Sequence, residues 1–159
     1  MIAATKLCFD DPESFPAEVL GVVLSQLSDQ TPLPKLLMRT VMQSMMLHVS
    51  LKSFILSNIL IKLINRHIYQ VPILWSGLLA ACNMLLPQSI PILIQLPDHA
   101  FMTLMNNPKM EKMQMMLIQF IQSYPLQVRR SIRELVQQIV QERSVNQMAM
   151  QQQQPIMHQ

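Results

Sequence analysis

Pro16, Pro34, Pro72, Pro97, Pro108 and Pro125 each stand just ahead of a run in which apolar residues recur at helical spacing. Proline has no N–H to donate and holds φ near the helical value, so it suits the first turn of a helix and disrupts the interior. Eleven prolines therefore cut this 159-residue chain into short segments, each with a marked start. The starts and the apolar spacing predict helices over about 16–28, 34–49, 51–68, 72–86, 88–95, 97–106, 108–123 and 125–142. No run shows the two-residue alternation of a half-buried strand.

Each predicted helix carries a stripe that needs a neighbour. Val19, Leu20, Val23, Leu24 and Leu27 form one; Leu51, Phe54, Ile55, Ile59 and Leu63 a second; Ile132, Leu135, Val136 and Ile139 a third. Short connections favour antiparallel pairing of consecutive helices. Pro34 to Pro72 spans 38 residues and Pro72 to Pro108 spans 36, close to a helical-repeat period. The expected fold is all-α, an irregular HEAT-like stack of antiparallel helix pairs. It occupies residues 16–142, between a lead-in segment 1–15 and a Gln/Met-rich tail 143–159. From Gln147 to Gln159 no stripe remains to be buried, so the tail is expected to be disordered beyond the end of the last helix.

A chain of this length can bury a substantial core. With 50% hydrophobic and only 13% charged residues, part of its surface is expected to be covered by a partner. Fifteen methionines suit either an adaptable binding surface or simple core filling. No Asp, Glu, Lys or Arg occurs between Arg66 and Asp98, yet Pro72, Asn83, Pro87, Gln88, Pro91, Gln95 and Pro97 divide that stretch. The pieces are shorter than the roughly 20 apolar residues a membrane span requires, so buried helices are expected and no membrane partner. Met1–Lys6 lacks a basic region followed by an apolar one, so no secretory signal is expected. Cys8 and Cys82 form no disulfide framework, which fits a reducing compartment.

Charge is unevenly divided. Through Gln30, five acidic residues (Asp10, Asp11, Glu13, Glu18 and Asp29) face Lys6 alone, a balance of −4, and the remainder carries +7. Such a split could orient the domain on a charged partner. The basic residues are dispersed and aromatics are only 5%, which argues against a nucleic-acid surface.

Catalytic and cofactor chemistry finds no support. Gly21 and Gly77 both lie in helical patterns, so no loop can cradle a phosphate. His48, His67, His99 and His158 are not spaced with one another or with cysteine as metal ligands, and helix-end or surface positions are expected for them. Ser76 lies in Trp75-Ser76-Gly77, without the strained elbow that activates a serine. Asp10, Asp11 and Glu13 precede Pro16, where they would favour the positive end of the first helix. The reading is therefore no enzyme, no cofactor and no metal.

Binding residues are more readily named. Trp75, with Leu74, Leu78 and Cys82 on neighbouring turns, is expected in the core. Lys35, Arg39 and Gln43 lie one turn apart on a common face. Arg39 sits in an otherwise apolar helix, where a guanidinium either holds a buried carboxylate or presents its fork to a partner, and the sequence leaves both open. Arg129, Arg130 and Arg133 form the densest basic cluster, with Lys109 and Lys112 on the preceding helix. A solvated face is the default there, and a binding patch the alternative.

One string carries a family likeness. Thr31-Pro32-Leu33-Pro34-Lys35-Leu36-Leu37-Met38-Arg39-Thr40-Val41-Met42-Gln43-Ser44 closely resembles the symplekin family. Ile2 to Phe9 and Glu18 to Val23 are similar to the preceding family segments. Trp75, Gly77 and Cys82 follow at matching spacing, then Pro87-Gln88-Ser89 and Ile92 to Pro97, and the resemblance extends to about Val140. It covers the family's C-terminal domain and not its N-terminal helical-repeat region.

The resemblance implies a HEAT-like helical domain and a nuclear, non-enzymatic scaffold of pre-mRNA 3′-end cleavage and polyadenylation. The implied partners are the metallo-β-lactamase endonuclease subunit of the cleavage and polyadenylation specificity factor, its inactive paralogue and other 3′-end processing subunits. Catalytic zinc and RNA contact would belong to those partners. The alternative is a helical adaptor of another complex that binds amphipathic peptides in a Met-rich groove.

Overall fold

The structure is a computed structural model that describes residues 15–152, with side chains through residue 149. Cys8, Asp10, Asp11 and Glu13 lie outside the described residues, as do residues 153–159. The all-α expectation holds: eight helices and no strand occur among the described residues. The chain divides into two compact units, Met1–Leu96 and Pro97–Gln159.

In the first unit, α1 (Ala17–Asp29) begins after extended Pro16, whose carbonyl accepts from Leu20 N at 3.1 Å. Leu20, Leu24 and Ser28 are its buried stripe. Helix α2 (Leu37–Leu47) starts three residues after Pro34, whose carbonyl accepts from Leu37 N at 3.0 Å. It buries Leu37, Met38, Val41, Ser44 and Met45, and His48 just beyond it donates from Nε2 to the Phe15 carbonyl at 3.0 Å.

Helix α3 is continuous but not uniform: Leu51–Phe54 and Ile61–Asn65 are α-helical, and Ile55–Leu60 between them is π-helical. A π turn widens the hydrogen-bond ring to an i→i+5 spacing. Beside it, Ser57 Oγ donates to Ser53 O at 2.8 Å and Asn58 Nδ2 to Phe54 O at 3.2 Å. The expected helix 51–68 stops at Asn65 because His67 turns left-handed, with φ of 57°, the usual way of ending a helix.

Pro72 is the first residue of α4 (Pro72–Met84), as predicted. This helix packs on α2, and Gly77 is the reason it can approach so closely. A Cβ at Gly77 would lie 2.5 Å from Met38 Cβ, far inside van der Waals contact. Helix α5 is a single turn, Ile90–Leu93, shorter than the expected 88–95. Ser89 Oγ donates to Cys82 O at 2.7 Å and ties this turn to the end of α4.

In the second unit, α6 (Asp98–Met105) buries Ala100, Phe101, Leu104 and Met105, and α7 (Glu111–Ser123) buries Met113, Gln114, Leu117 and Ile121. Pro108 and Pro125 open short 3₁₀ turns, Pro108–Met110 and Pro125–Gln127, in place of full helices. Val128 is then extended, so α8 begins at Arg130 where 125 was expected.

Helix α8 runs to Gln152, so the boundary expected at 142 falls inside a helix and the tail assigned to 143–159 begins too early. Arg143 accounts for the correction. Its Nη2 donates to Met105 O at 3.1 Å and to Gln114 Oε1 at 2.8 Å, fastening α8 one residue beyond the expected end.

Candidate functional site

The face built on α2 follows from its stripe. Leu37, Met38, Val41 and Met45 turn inward, which leaves Arg39 outward. Lys35, in the turn before the helix, is also exposed, and Gln43 is half-buried. Arg39 has no hydrogen bond or ion pair among the described residues. It holds no buried carboxylate, so the guanidinium fork points to solvent. Gln43 Oε1 and Ser44 Oγ are buried on the same helix without a hydrogen-bond partner.

The arginines of the cluster differ in their surroundings. Arg129 lies 3.5 Å from Asp98 Oδ1. Arg130 Nε donates to Glu134 Oε1 at 2.7 Å, and this bond, with the charge of Glu134, raises its pKa. Arg133 is half-buried against a cleft between α7 and α8. Lys109 and Lys112 are exposed at the start of α7. Two of the three arginines thus spend charge on neighbouring acids.

Trp75 is 7% exposed and belongs to the core. Ser76 is exposed on regular helix. Cys82 is buried and unpaired, and burial pushes its thiol up to about 12 from 9.0, which suppresses the nucleophilic thiolate. His67 Nδ1 and the Tyr69 hydroxyl share a hydrogen bond. No group of three or more His, Cys, Asp or Glu side chains suited to a metal occurs among the described residues. No helix among them is long and apolar enough to cross a membrane.

Sequence reasoning missed three polar ties. Arg66, after α3, donates to Ser28 O and, at 2.7 Å, to Thr31 Oγ1, and so holds the end of α1. Gln114 donates from Nε2 to Leu104 O at 3.0 Å and Asn107 O at 2.7 Å, and Arg143 completes that group. The available signal was Gln114 itself, a polar residue beside Met113 within the stripe that Leu117 and Ile121 continue.

Among the clefts that line these helices, three stand out by volume. Gly21, Val22, Leu51 and Phe54 line one of about 540 Å³ between α1 and α3, together with Glu18 and Asp29. Met115, Met116, Ile118 and Lys112 line another of about 590 Å³ on α7. The third holds Arg133.

A family model described as "Symplekin tight junction protein C terminal" matches residues 1–108. The match ends short of Val140, to which the sequence likeness was extended, and leaves the arginine cluster outside it. No solved structure matches the chain. The matched span exceeds half of the 159 residues and includes the Lys35, Arg39 and Gln43 face, so the chain belongs to the symplekin C-terminal family.

Proposed function

We propose that this chain is a non-enzymatic scaffold of the pre-mRNA 3′-end cleavage and polyadenylation machinery. It acts in the nucleus by binding the endonuclease subunit of the cleavage and polyadenylation specificity factor and that subunit's inactive paralogue. Family membership carries the reading. The outward Arg39 supports a binding role for α2, because a guanidinium with no partner among the described residues can meet a carboxylate of another chain. Lys35 and Gln43 extend that face, and Arg129, Arg130 and Arg133 are secondary contact candidates.

The test is affinity purification of a tagged copy from nuclear extract, beside an Arg39→Glu variant. The native chain should retain both partners, and the variant should lose them while keeping its helical circular dichroism. Retention of neither by the native chain contradicts the assignment; unfolding of the variant moves the interface away from Arg39.

A second reading, an adaptor for amphipathic peptides, is favoured by the methionine-lined cleft on α7, where Met115 is 62% exposed. Purification of the native chain with a different complex, lost on Met115→Glu, would select it.

A further inference from the structure

The cleft between α7 and α8, of about 580 Å³, is walled by Ile121, Pro125, Val136 and Val140. Arg133 bears the only charge among the described residues lining it. Its Nε is buried and has no hydrogen-bond partner. An N–H withdrawn from water with nothing to donate to is the unfavourable state of a buried polar group. The nearby acids do not relieve it: Asp98 is engaged with Arg129 and Glu134 with Arg130. The cleft therefore combines an aliphatic wall with one half-exposed cationic side chain that has no acid partner among the described residues.

Its shape follows α8. Arg133, Val136, Gln137 and Val140 recur three and four residues apart, and Ser144 continues the line. Eleven residues of helix rise about 16 Å, roughly three turns of a second helix laid alongside. The adjoining Pro125–Gln127 turn carries Leu126, 94% exposed, and Tyr124 before it is 52% exposed. Exposed apolar groups beside an arginine have the composition of an interface centre.

We infer that this cleft docks a partner's amphipathic helix, whose apolar stripe covers Val136 and Val140 and whose Asp or Glu carboxylate pairs with the half-exposed Arg133 guanidinium. The complementary charge is specific: a neutral helix would bury the same aliphatic wall and leave the guanidinium unanswered. A nucleic acid fits poorly, because a phosphate backbone repeats its charge and the cleft lining offers one cation between aliphatic walls. The inference does not depend on the 3′-end processing reading, since Arg133 lies beyond the family match.

The test uses a displayed library of three-turn amphipathic helices with randomised polar positions, selected on the full chain. Selected peptides should carry Asp or Glu at one recurrent position. Changing that residue to its amide should weaken binding about tenfold, the loss typical of one charge-assisted hydrogen bond. The Arg133 Nε–H resonance in nitrogen-15 NMR should shift with the acidic peptide and not with its amide.

Gln137→Glu is the second arm. Gln137 is exposed and four residues after Arg133, the relation in which Glu134 already pairs with Arg130. This variant supplies a carboxylate within the chain and should abolish the acidic preference without disturbing the fold. Absence of any enriched peptide overturns the inference, as does enrichment without an acid or an unchanged preference on Gln137→Glu. An Arg133 shift produced by single-stranded RNA would also overturn it.

Discussion

The two units are held together by different means. In the first, large apolar side chains fill the centre: Leu24, Leu37, Val41, Met45, Ile55 and Leu78 are fully buried, with the small hydroxyls of Ser28, Ser44 and Ser89 among them, and α2 and α4 meet at Gly77, where no side chain would fit. Its polar ties join the ends of helices, as when Lys62 Nζ reaches Asp29 Oδ1 at 2.5 Å. In the second unit a polar group stands inside the core. Gln114, 4% exposed, is fixed by the Leu104 and Asn107 carbonyls and by Arg143. Shape fit thus governs the first unit and hydrogen-bond geometry the second. The last carbonyls of a helix have no partner within it, and Gln114 and Arg143 supply donors to the end of α6 that a short apolar core would not.

Variants can break that contrast, beginning with volume. Trp75→Ala should lower stability by about 3–5 kcal/mol in denaturant titrations, because a buried indole leaves a cavity that its surroundings fill only in part. An unchanged melting transition with loss of a bound partner would move Trp75 from core to interface. Gly77→Ala should cost about 1–3 kcal/mol, since the added methyl meets Met38 Cβ, which cannot swing aside. Equal stability would mean that α2 and α4 separate freely, contrary to a shape-determined unit.

In the second unit, Gln114→Met nearly preserves volume and removes the amide. It should cost about 1–3 kcal/mol by leaving the Leu104 and Asn107 carbonyls and the Arg143 guanidinium short of partners. If methionine is tolerated without loss, the polar core is not what holds this unit.

The smallest effect is silent at neutral pH. The folded chain holds the Cys82 proton up to about 12 against 9.0 for a free thiol. The unfolded chain therefore releases that proton first, and its contribution to stability, complete below pH 9, is lost as pH rises toward 12. In a Cys8→Ser variant, Cys82 should resist iodoacetamide at pH 8, and Cys82→Ala should flatten the alkaline fall in melting temperature. Rapid alkylation would show an opening in the apolar centre.

Much of this architecture was legible in the chain. Pro72 starts α4 where the proline rule places it, and Trp75, Leu74, Leu78 and Cys82 are buried as their spacing requires, whereas Val19 and Val23 of the first stripe are exposed beside buried Leu20 and Leu24. Proline alone does not distinguish a full helix from a single 3₁₀ turn, so Pro108 and Pro125 each misplaced a helix start. The long-range polar ties were hidden for a related reason. Arg143 and Gln114 are 29 residues apart, and helical periodicity reports which face is buried, not which distant polar group meets it. Arg39 was half legible: the sequence posed ion pair against outward fork, and only the placement of neighbouring acids decides between them.

The most direct test of the scaffold account is hydrogen–deuterium exchange of the full chain, alone and with the C-terminal regions of the endonuclease subunit and its paralogue. The account predicts slower amide exchange in the complex across residues 35–47, the segment that presents Lys35, Arg39 and Gln43, and loss of that protection in Arg39→Glu. Failure to form a complex, or a complex that leaves exchange across 35–47 unchanged, would contradict it.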